Sequence, residues 1–576
     1  MPSARGVKRT ASKTSAVTAS AAPKNKKKRT AFQLETPTAP KRRGHVLTCG
    51  QGDVGQLGLG EDVIETTKFK TVSALGNKIV DICAGGMHTV ALDSEGKVWT
   101  FGCNDEGALG RPTSGQEEEG IAKAVILLGK AVAICAGDSH SAALLDNGDV
   151  YAWGSFRDSH GSMGLVVRAR EGKACKEPVK ISIPEPAVGI ASGGDHLVVL
   201  TNTGGVYTMG CGEQGQLGRL PQRSASREAR QGFSALLAPT KVSLKFPARV
   251  IWAGYHATFA VDANTDKMFA WGLNNYGQLG ITGEKRKVAL YSPMECDAFS
   301  TTVTWKEVAI GQHHSLALDN NGQVYSVGRC EYGRLGLGDR TTDAETLEAI
   351  PKLQNKKCIS ISAGTSNGFA VTDSGEVYAW GMGSEGQLGT GGSSDANEPT
   401  IVQPVLPDNT VPVAVAAGAQ HTVLLVEDKS VQKEATPQPE PEPVEDVVDP
   451  EPVEEKPRSK RAKEQDQHIS STSSQSDAQA AQAEKINGDE KKDTAMEVDD
   501  AVTDKIQNDE DQQTDKQSVE ENSEQEESKP ESMDTSSQDT VESQPEEKEK
   551  EREKETPAIE PAETEKMDEV NGTEKA

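Results

Sequence analysis

The chain has 576 residues, of which 35% are hydrophobic and 26% charged, and its formal net charge is -26 at pH 7. It contains no apolar stretch of about 18 residues and no signal-peptide pattern, so we expect a soluble intracellular protein that does not cross a membrane. The nine cysteines include no Cys-x-x-Cys pair and follow the repeat described below, which indicates a reducing environment rather than a disulfide framework.

Charge is divided unevenly along the chain. Residues 1–44 carry 12 Lys and Arg against one Glu, whereas residues 427–576 carry 19 Lys and Arg against 47 Asp and Glu and contain no Phe, Trp or Tyr. Segments of this composition cannot bury enough apolar surface to fold. We therefore predict a disordered basic arm over 1–44, one folded domain over 45–426 and a disordered acidic tail over 427–576.

Two basic runs in the arm fit contact with DNA phosphates or binding to a nuclear import receptor, while a solvated flexible segment is the plain alternative. Contact of this electrostatic kind weakens steeply with salt. The residues concerned are Lys24, Lys26, Lys27, Lys28, Arg29, Lys41, Arg42 and Arg43.

Two phrases alternate through the central region, seven copies of each. One is an apolar strand ending in Gly, then a short loop and usually Gly-Gln-Leu-Gly, as in residues 49–58; the other is Ala-Gly-x-x-His followed by an apolar strand, as in residues 84–92. The strand, Gly-containing turn and strand between them indicate a β-hairpin. A period of roughly 50 to 60 residues with several short strands is typical of a propeller.

The order of the phrases distinguishes a closed ring from an open stack. The first Gly-Gln-Leu-Gly phrase precedes any Ala-Gly-x-x-His phrase, and no strand pattern follows the last Ala-Gly-x-x-His phrase. We expect the strand near 45–50 to complete the sheet that begins at 413–426, which leaves no long free edge. The predicted fold is all-β, a seven-bladed β-propeller closed by its N-terminal strand.

Two motifs suggest ligands but are explained by the repeat. Matches to Gly-x-Gly-x-x-Gly start at Gly50, Gly210 and Gly381, in register with the strands and without a following amphipathic helix, so tight turns explain them better than dinucleotide binding. His313 and His314 are adjacent, and adjacent side chains on a strand point to opposite faces, so they do not make a metal site. We predict no cofactor and no bound metal.

The second phrase separates a structural position from variable ones. The third residue after its Gly is His in five of seven copies, which favours a buried, hydrogen-bonded histidine in the scaffold. The positions just before it vary, and there the chain has Asp138, Asp195, His256 and His313. Loop positions of this kind usually carry function, although solvated loop residues are the alternative.

The third copy of the first phrase is two residues longer than the other six, which predicts an enlarged loop. Because the hairpins bring both phrases to the same end of the propeller, this loop, the wedge, should lie beside Asp53, Asp138, Asp195 and His313. The wedge residues are Ser155, Phe156, Arg157, Asp158, Ser159, His160, Gly161 and Ser162.

A further insertion separates the fourth and fifth copies. This arginine loop contains Arg219, Arg223, Arg227 and Arg230 against a single acid, Glu228. Guanidinium groups are suited to clusters of carboxylates or phosphates. On its own, however, the loop is more simply explained as a solvated insertion.

The phrases GQGDVGQLGLGE, FGCNDEGALGR, WGSFRDSHG, ASGGDHLV and EYGRLGLG closely resemble the regulator of chromosome condensation family across residues 45–426. The resemblance implies a guanine-nucleotide exchange factor for the nuclear small GTPase Ran, which binds the GDP, GTP and nucleotide-free forms. It also implies that Asp195 and His313 are the main exchange residues, with Asp138 and Asp53 nearby and with the wedge opening the GTPase.

The same resemblance implies that Arg223 and Arg230 contact the acidic patch of the nucleosome. Nuclear localisation on chromatin would follow, with roles in nuclear transport, spindle assembly and the cell cycle. Nucleotide exchange makes and breaks no covalent bond, so the chain is not expected to be an enzyme, and no nucleophile, base or metal cluster stands out from the repeat. A chromatin scaffold without exchange activity, an adaptor propeller and a propeller enzyme are the alternatives, because a fold alone permits many functions.

Overall fold

The computed structural model describes residues 32–430. They form 32 strands and few helices, which confirms the prediction of an all-β fold. Two short α-helices, α1 (Gln116–Glu119) and α2 (Gly232–Leu237), lie in loops, and single 3-10 turns occur at Ser73–Leu75, Gln222–Ser224, Gly283–Lys285, Glu331–Gly333 and Pro351–Leu353.

The strands are short, mostly of five to eight residues, and follow one another in chain order. The first group comprises β1 (Gly44–Gln51), β2 (Glu65–Thr71), β3 (Ile79–Ala84), β4 (His88–Asp93), β5 (Val98–Gly102), β6 (Lys123–Ala124), β7 (Ala131–Ala136), β8 (His140–Leu145), β9 (Val150–Gly154), β10 (Phe156–Asp158), β11 (Gly161–Gly164), β12 (Val166–Arg168) and β13 (Glu171–Lys173). The second comprises β14 (Cys175–Ile181), β15 (Ala187–Ser192), β16 (His196–Thr201), β17 (Val206–Gly210), β18 (Thr240–Lys241), β19 (Ala248–Gly254), β20 (Ala257–Asp262), β21 (Met268–Leu273) and β22 (Ala289–Glu295). The third comprises β23 (Trp305–Ile310), β24 (His314–Asp319), β25 (Val324–Gly328), β26 (Ala344–Ala349), β27 (Cys358–Ala363), β28 (Asn367–Thr372), β29 (Val377–Gly381), β30 (Ala396–Val402), β31 (Thr410–Ala417) and β32 (His421–Asp428).

Antiparallel four-stranded sheets are the repeating unit. Five of them have the orders β14-β9-β8-β7, β15-β16-β17-β18, β19-β20-β21-β22, β23-β24-β25-β26 and β27-β28-β29-β30. An eight-stranded sheet combines β31-β32-β1-β2 with β3-β4-β5-β6 through the pair Gly44 and Ile79. The two small hairpins, β10-β11 and β12-β13, both lie in the connection from β9 to β14.

The sheets are arranged as the blades of a β-propeller. The first strand of each set contacts the first strand of the next, in the order β3, β7, β15, β19, β23, β27 and β31, and β31 contacts β3. These strands line a central cavity of about 380 Å³. The second strands, such as β4 and β8, are buried along their whole length because neighbouring sheets cover both of their faces.

A tryptophan on the third strand fills the space between adjacent sheets. The Nε1–H of Trp271 donates to the carbonyl oxygen of Gln216 at 2.9 Å, and Gly218 lies directly against the indole ring. A Cβ at Gly218 would come within 2.6 Å of Cδ1 of Trp271, and its φ is +65°. The last Gly of the Gly-Gln-Leu-Gly phrase is therefore required by contact with the ring as well as by its backbone conformation. Trp153 and Trp380 repeat this arrangement.

The repeated histidine is a structural residue, as the sequence predicts. Burial lowers the pKa of each of these imidazoles well below pH 7, so they are neutral, and Nε2 reaches a hydroxyl on the next sheet. The pairs are His88 with Ser141 at 2.8 Å, His140 with Ser192 at 3.0 Å, His196 with Thr258 at 2.8 Å, and His421 with Thr89 at 3.0 Å. His314 is placed alike but reaches the backbone oxygen of Asn367 at 3.2 Å.

The first and last strands of the domain pair with each other. β1 is antiparallel to β32 in a register that runs from Gly44 opposite Glu427 to Gly50 opposite His421. The strands thus extend one or two residues beyond the predicted limits of 45 and 426. This pairing leaves β2 as the outermost strand of the set β31-β32-β1-β2.

Residues 32–43 lie against the folded domain, although the sequence predicted a disordered arm over 1–44. The N–H of Leu34 donates to the carbonyl oxygen of Asn202 at 2.7 Å, and the carbonyl oxygen of Arg43 accepts from the N–H of Asp428 at 2.8 Å. Composition alone missed these contacts because it does not report pairing with a distant turn. The other predictions for the arm and tail, including those for Lys24 to Arg29, lie outside the described residues.

The connections define two faces. The loops after the first strands and after the third strands lie together at one end of the sheets, here called the wedge face, and the hairpin turns between second and third strands lie at the opposite end. In the part of the chain that the structure covers, no helix is both long and apolar enough to span a bilayer.

Candidate functional site

The loops that follow the first strands interlock around the mouth of the central cavity. Backbone hydrogen bonds join successive loops: Gly86 N to Gly137 O at 3.2 Å, Asp138 N to Gly194 O at 2.7 Å, Gly194 N to Tyr255 O at 3.0 Å, Gln312 N to Thr365 O at 3.4 Å, and Ala419 N to Gly86 O at 3.4 Å. Side chains at these positions are therefore presented from a braced backbone rather than from free loops.

Asp138 and Asp195 form a partly buried carboxylate pair at this mouth. Gly194 makes room for the first of them, because a Cβ there would lie 3.1 Å from Oδ2 of Asp138. Burial raises the pKa of both carboxyl groups, and the charge of Asp138 raises that of Asp195 further, while Arg157 lowers both. A partner that brings N–H donors or positive charge to this pair would stabilise the ionised form.

The wedge is a β-hairpin whose backbone is hydrogen-bonded to the side chain of Asp195. The N–H of Arg157 donates to Oδ1 of Asp195 at 2.7 Å. The projecting part of the wedge is shorter than the predicted range of 155–162, since Ser155 and Phe156 are fully buried and only residues 157–162 project. Phe156 instead packs edge-on against the ring of His140, with centroids 4.6 Å apart, because this large apolar side chain is more stable in the core.

Acidic residues from the two flanking loops hold the wedge in place. Oγ of Ser159 donates to Oε1 of Glu213 at 2.6 Å, and Oγ of Ser162 donates to Oε2 of Glu106 at 3.0 Å. Sequence reasoning missed Glu106 and Glu213, because both occur inside repeat phrases where nothing separates them from other exposed acids. The wedge is thus a braced projection rather than a free loop.

The four arginines of the arginine loop have three different environments. Arg219 is structural, since its guanidinium donates to main-chain carbonyls that include Ala235 O at 2.7 Å, and burial lowers its pKa to about 10. Arg227 pairs with the wedge, donating from Nε to Oδ2 of Asp158 at 2.7 Å and from Nη2 to Oδ1. Their similar spacing in the sequence, three or four residues apart, gave no sign of this division.

Arg223 and Arg230 are the two that remain exposed. Among residues 32–430, neither guanidinium has a hydrogen-bond or ion-pair partner. Both lie in the connection between β17 and β18, on the wedge face. They are therefore available to an acidic partner on the same side of the molecule as the wedge.

His313 lies in a second cluster on the wedge face. Its ring meets Tyr276 edge-on with centroids 5.1 Å apart, and the guanidinium of Arg329 lies 4.9 Å above the same tyrosine. Burial, then the charges of Arg334 and Arg329, lowers the pKa of His313 to about 4, so the imidazole is neutral at pH 7. Its Nδ1 has no hydrogen-bond partner within the described residues.

The loop with Tyr255 and His256 connects the two clusters. Burial and then the charge of Asp138 raise the pKa of Tyr255, whose hydroxyl lies 2.9 Å from Oγ1 of Thr365. The pKa of His313 is lowered in part by His256. Sequence reasoning named His256 without assigning it a role. It missed Tyr255, because the position after this Gly holds a different type of residue in most copies of the repeat and a tyrosine in one alone.

Asp53 lies on the same face but apart from the pair. It is exposed in the loop after β1, and its Oδ1 accepts from Nε2 of Gln56 at 3.0 Å. No hydrogen bond joins it to Asp138, Asp195 or His313 in the described part of the chain. Of the four predicted exchange residues, the structure therefore brings Asp138 and Asp195 into one cluster. Asp53 and His313 lie elsewhere on the wedge face.

One group of side chains has the composition of a metal site. Ligand atoms of Asp158, His160 and Glu213 lie within 4.8 Å of one another. Both oxygens of Asp158 already accept from Arg227, however, and both oxygens of Glu213 accept from Ser159. A guanidinium thus supplies the positive charge that a metal would bring, so the group is better explained as the brace of the wedge.

Comparison with known proteins identifies the family to which this fold belongs. The model of the RCC1-like domain family matches residues 45–424. The human protein named Regulator of chromosome condensation is 45% identical over 419 residues, covering 71% of this chain and 96% of its own, and the Saccharomyces cerevisiae protein named Guanine nucleotide exchange factor SRM1 is 31% identical, covering 68% and 89%. A crystal structure of Prp20p from Saccharomyces cerevisiae, reported with its binding properties to Gsp1p and histones, is 29% identical with a TM-score of 0.62 and covers 71% of this chain and 99% of its own. The chain belongs to the regulator of chromosome condensation family.

Proposed function

We propose that the chain is a guanine-nucleotide exchange factor for the nuclear small GTPase Ran. The hydrogen bond from Arg157 to Asp195 carries this proposal, because it joins a braced projection to a carboxylate pair on one face of the domain. The name of the SRM1 relative and the reported binding of Prp20p to Gsp1p support it. Exchange requires no covalent step, so the residues act by binding and not as an enzyme's catalytic groups.

The scaffold of this activity is, in our proposal, a seven-bladed propeller over residues 45–426, closed by the N-terminal strand. Support comes from the pairing of β1 with β32 and from the contact of β31 with β3. A closed ring is stiff, which suits a protein that must deform its partner while keeping its own shape. The residues before 45 and after 426 are proposed to be the basic arm and the acidic tail.

The mechanism follows from the requirement that the exchanger prefers the nucleotide-free GTPase. Phosphate-loop GTPases hold nucleotide through Mg²⁺, a lysine and backbone N–H groups. We propose that residues 157–162 displace this arrangement while Asp195, Asp138 and Asp53 accept hydrogen bonds from the GTPase surface. Neutral His313 offers the exposed part of its half-buried ring. The coupling is reciprocal, so nucleotide that binds again must lower the affinity of the exchanger for the GTPase.

Release of fluorescent GDP from Ran tests this assignment. Asp195→Ala and His313→Ala should each slow release at least tenfold, which corresponds to about 1.4 kcal/mol of lost transition-state stabilisation. Asp146→Ala is the matched control, since Asp146 is an exposed acid in a hairpin turn on the opposite face. Near-normal release by both site variants, with unchanged melting temperature, would leave a scaffold without exchange activity as the better explanation.

Chromatin attachment is the second part of the proposal. Exposed Arg223 and Arg230 are suited to the acidic patch of the nucleosome, and the reported binding of Prp20p to histones supports such a contact. Basic residues of the arm, from Lys24 to Arg29, are proposed to contact DNA phosphates and a nuclear import receptor. The chain would then act in the nucleus, on chromosomes, in nuclear transport, spindle assembly and the cell cycle.

Nucleosome binding separates these two contributions. Arg223→Ala combined with Arg230→Ala should reduce affinity for nucleosomes at least tenfold and leave affinity for free DNA unchanged. Deletion of residues 1–31 should weaken free-DNA binding and flatten its dependence on salt concentration. Equal nucleosome affinity for wild type and the double variant would exclude the arginine loop as the histone contact.

A further inference from the structure

One copy of the Gly-Gln-Leu-Gly phrase has an arginine where four other copies have a glutamine. Arg334 takes this place in the phrase at residues 328–336, and the four glutamines are Gln56, Gln216, Gln278 and Gln387. Arg334 is as buried as they are, with 1% of its side chain exposed. Burying a charge costs free energy, so the scaffold alone gives no reason for this replacement.

The glutamine fixes the turn in those four copies. Its Oε1 accepts the backbone N–H of the residue two positions before it, at 2.8 to 3.0 Å. A guanidinium has donors only, so Arg334 cannot accept from the N–H of Tyr332 in the same way. Nε of Arg334 instead donates to the carbonyl oxygen of Glu331 at 2.8 Å. The turn over residues 329–334, here called the tyrosine turn, is therefore held differently from its counterparts.

Tyr332 has a left-handed backbone conformation, with a φ of 60° and a ψ of 17°. A residue with a Cβ adopts this conformation only at a cost in free energy. In the described domain, the residues at the same position in the four glutamine copies do not have a positive φ; they are Val54, Gln214, Tyr276 and Glu385. Backbone strain of this kind is concentrated at functional sites, where the surrounding contacts impose it.

The strained conformation presents the ring of Tyr332 to solvent on the wedge face. Tyr332 is 46% exposed and lies in the loop after β25, a third strand. The guanidinium of Arg334 lies 5.4 Å from the centre of its ring. The buried arginine therefore supports an exposed aromatic side chain from below.

Glu331 connects this pair to the cluster around His313. Its carboxylate is ion-paired with Arg329 and lies 3.8 Å from Nη2 of Arg334. The guanidinium of Arg329 lies over the ring of Tyr276, which in turn meets the ring of His313 edge-on. Side-chain contacts thus run without interruption from the tyrosine turn to one of the proposed exchange residues.

We propose that Tyr332 is an anchor residue for the GTPase, and that Arg334 is the positioning residue that holds its ring in the binding orientation. This inference rests on the proposed exchange function and names a further contact of the same site. Tyrosine suits the role because its large, rigid ring loses little entropy on binding, and such residues often dominate the binding energy of an interface.

The anchor should act on binding rather than on nucleotide release. Among residues 32–430, no hydrogen bond joins the tyrosine turn to the projecting residues 157–162. The contact of Tyr332 with the GTPase should therefore be the same before and after the nucleotide leaves. A contact of equal strength in both states lowers KM and leaves kcat unchanged.

Release of fluorescent GDP at varied concentrations of Ran tests the anchor. Tyr332→Ala should raise KM about tenfold or more with kcat close to the wild-type value. Tyr332→Phe keeps the ring and should retain the wild-type KM. Ile126→Ala is the matched control, since Ile126 is 87% exposed in the connection from β6 to β7, at the opposite end of the sheets. A wild-type KM in Tyr332→Ala would overturn the anchor role.

Arg334→Gln tests the positioning role, because it restores the residue that the repeat uses elsewhere. A glutamine side chain can accept from the N–H of Tyr332, which relieves the backbone strain and removes a buried charge. The melting temperature should therefore stay at or above that of wild type, while KM rises as it does in Tyr332→Ala. A purely structural arginine predicts the reverse, and a lower melting temperature with a normal KM would overturn the positioning role.

The same assays separate this inference from the proposed exchange function. A wild-type protein that does not accelerate GDP release from Ran would reject both. An active wild-type protein, together with a normal KM in Tyr332→Ala and in Arg334→Gln, would reject the anchor alone. The roles proposed for Asp195 and His313 would then stand.

Discussion

The guanidinium of Arg227 donates two hydrogen bonds to the carboxylate of Asp158, from a position 69 residues further along the chain. This pair connects the arginine loop to the wedge, so the proposed nucleosome contact and the proposed exchange element share a brace. The carboxylate side is almost completely buried, with 1% of the Asp158 side chain exposed, while 21% of the Arg227 side chain is exposed.

Loss of this brace should affect both stability and exchange. Arg227→Ala leaves a buried carboxylate without its cation, for which we expect a loss of about 1–3 kcal/mol in the free energy of unfolding. Slower GDP release from Ran should accompany it, because the wedge is no longer held. Arg223→Ala, in the same loop but exposed and unpaired, should change neither quantity. Chemical denaturation and fluorescent-GDP release measure the two effects, and identical behaviour of the two variants would contradict the bracing role.

The ionised form of Asp195, which we propose binds the GTPase, should lower the stability of the folded domain. Burial, with the charge of Asp138, raises its folded pKa to about 7, above the unfolded value of about 4. The folded state therefore binds the extra proton, and the stabilising contribution is complete below about pH 4 and is lost as pH rises through 7.

Asp195→Asn should remove this pH dependence while keeping an acceptor for the N–H of Arg157. We expect the variant to unfold at higher urea concentration than wild type at pH 8 and at a similar concentration near pH 4. Its exchange activity at pH 8 should nevertheless fall, because the negative charge is absent. Asp146→Asn is the control. A difference in stability between wild type and Asp195→Asn that is the same at both pH values would contradict the assignment.

Substitution should distinguish the buried scaffold histidines, such as His196, from His313 on the wedge face. His196→Ala removes a fully buried ring and its bond to Thr258, so we expect about 2–4 kcal/mol lower stability. His313→Ala removes a half-buried ring whose Nδ1 has no partner among residues 32–430, so stability should change little while exchange slows. Thermal unfolding and GDP release distinguish the two. A large loss of stability in His313→Ala would mark it as a scaffold residue.

Gly218 should tolerate no side chain, because it faces Trp271. Gly218→Ala combines a positive φ of 65° with a contact of 2.6 Å to the indole ring. Gly60→Ala is the matched control, since Gly60 also has a positive φ, of 91°, but has no atom within 4 Å of an added Cβ. The control should lose about 1–2 kcal/mol through backbone strain, and Gly218→Ala should lose more. Equal losses would show that the ring moves away freely.

Much of the fold could be predicted because the repeat is local. Each hairpin, the buried histidine and the loops of the wedge face follow from phrases of about ten residues, such as the one containing His196. The wedge was found as a departure from that regularity, and its contact with Asp195 follows from both phrases meeting at one end.

The environments of the arginine side chains could not be predicted, because they depend on contacts with residues far away in the sequence. Arg219, Arg223 and Arg227 look alike in the sequence, yet main-chain carbonyls surround the first, nothing in the described domain pairs with the second, and Asp158 pairs with the third. Arg42 was likewise grouped with its exposed neighbours, because only the fold brings Asp81 and Glu307 close to it. Local composition does not contain that information.

The partnership of β1 with β32 sets an order of events during synthesis. The strand made first has its hydrogen-bonding partner among the last residues of the domain, so a growing polypeptide holds β1 with that edge exposed until His421 to Asp428 leave the ribosome. Long-range pairing of this sort is slow and leaves the nascent chain prone to aggregation. A message truncated before the codon for His421 would yield a product in which one edge of β1 stays unpaired. Such a product is a natural target for chaperones and proteases.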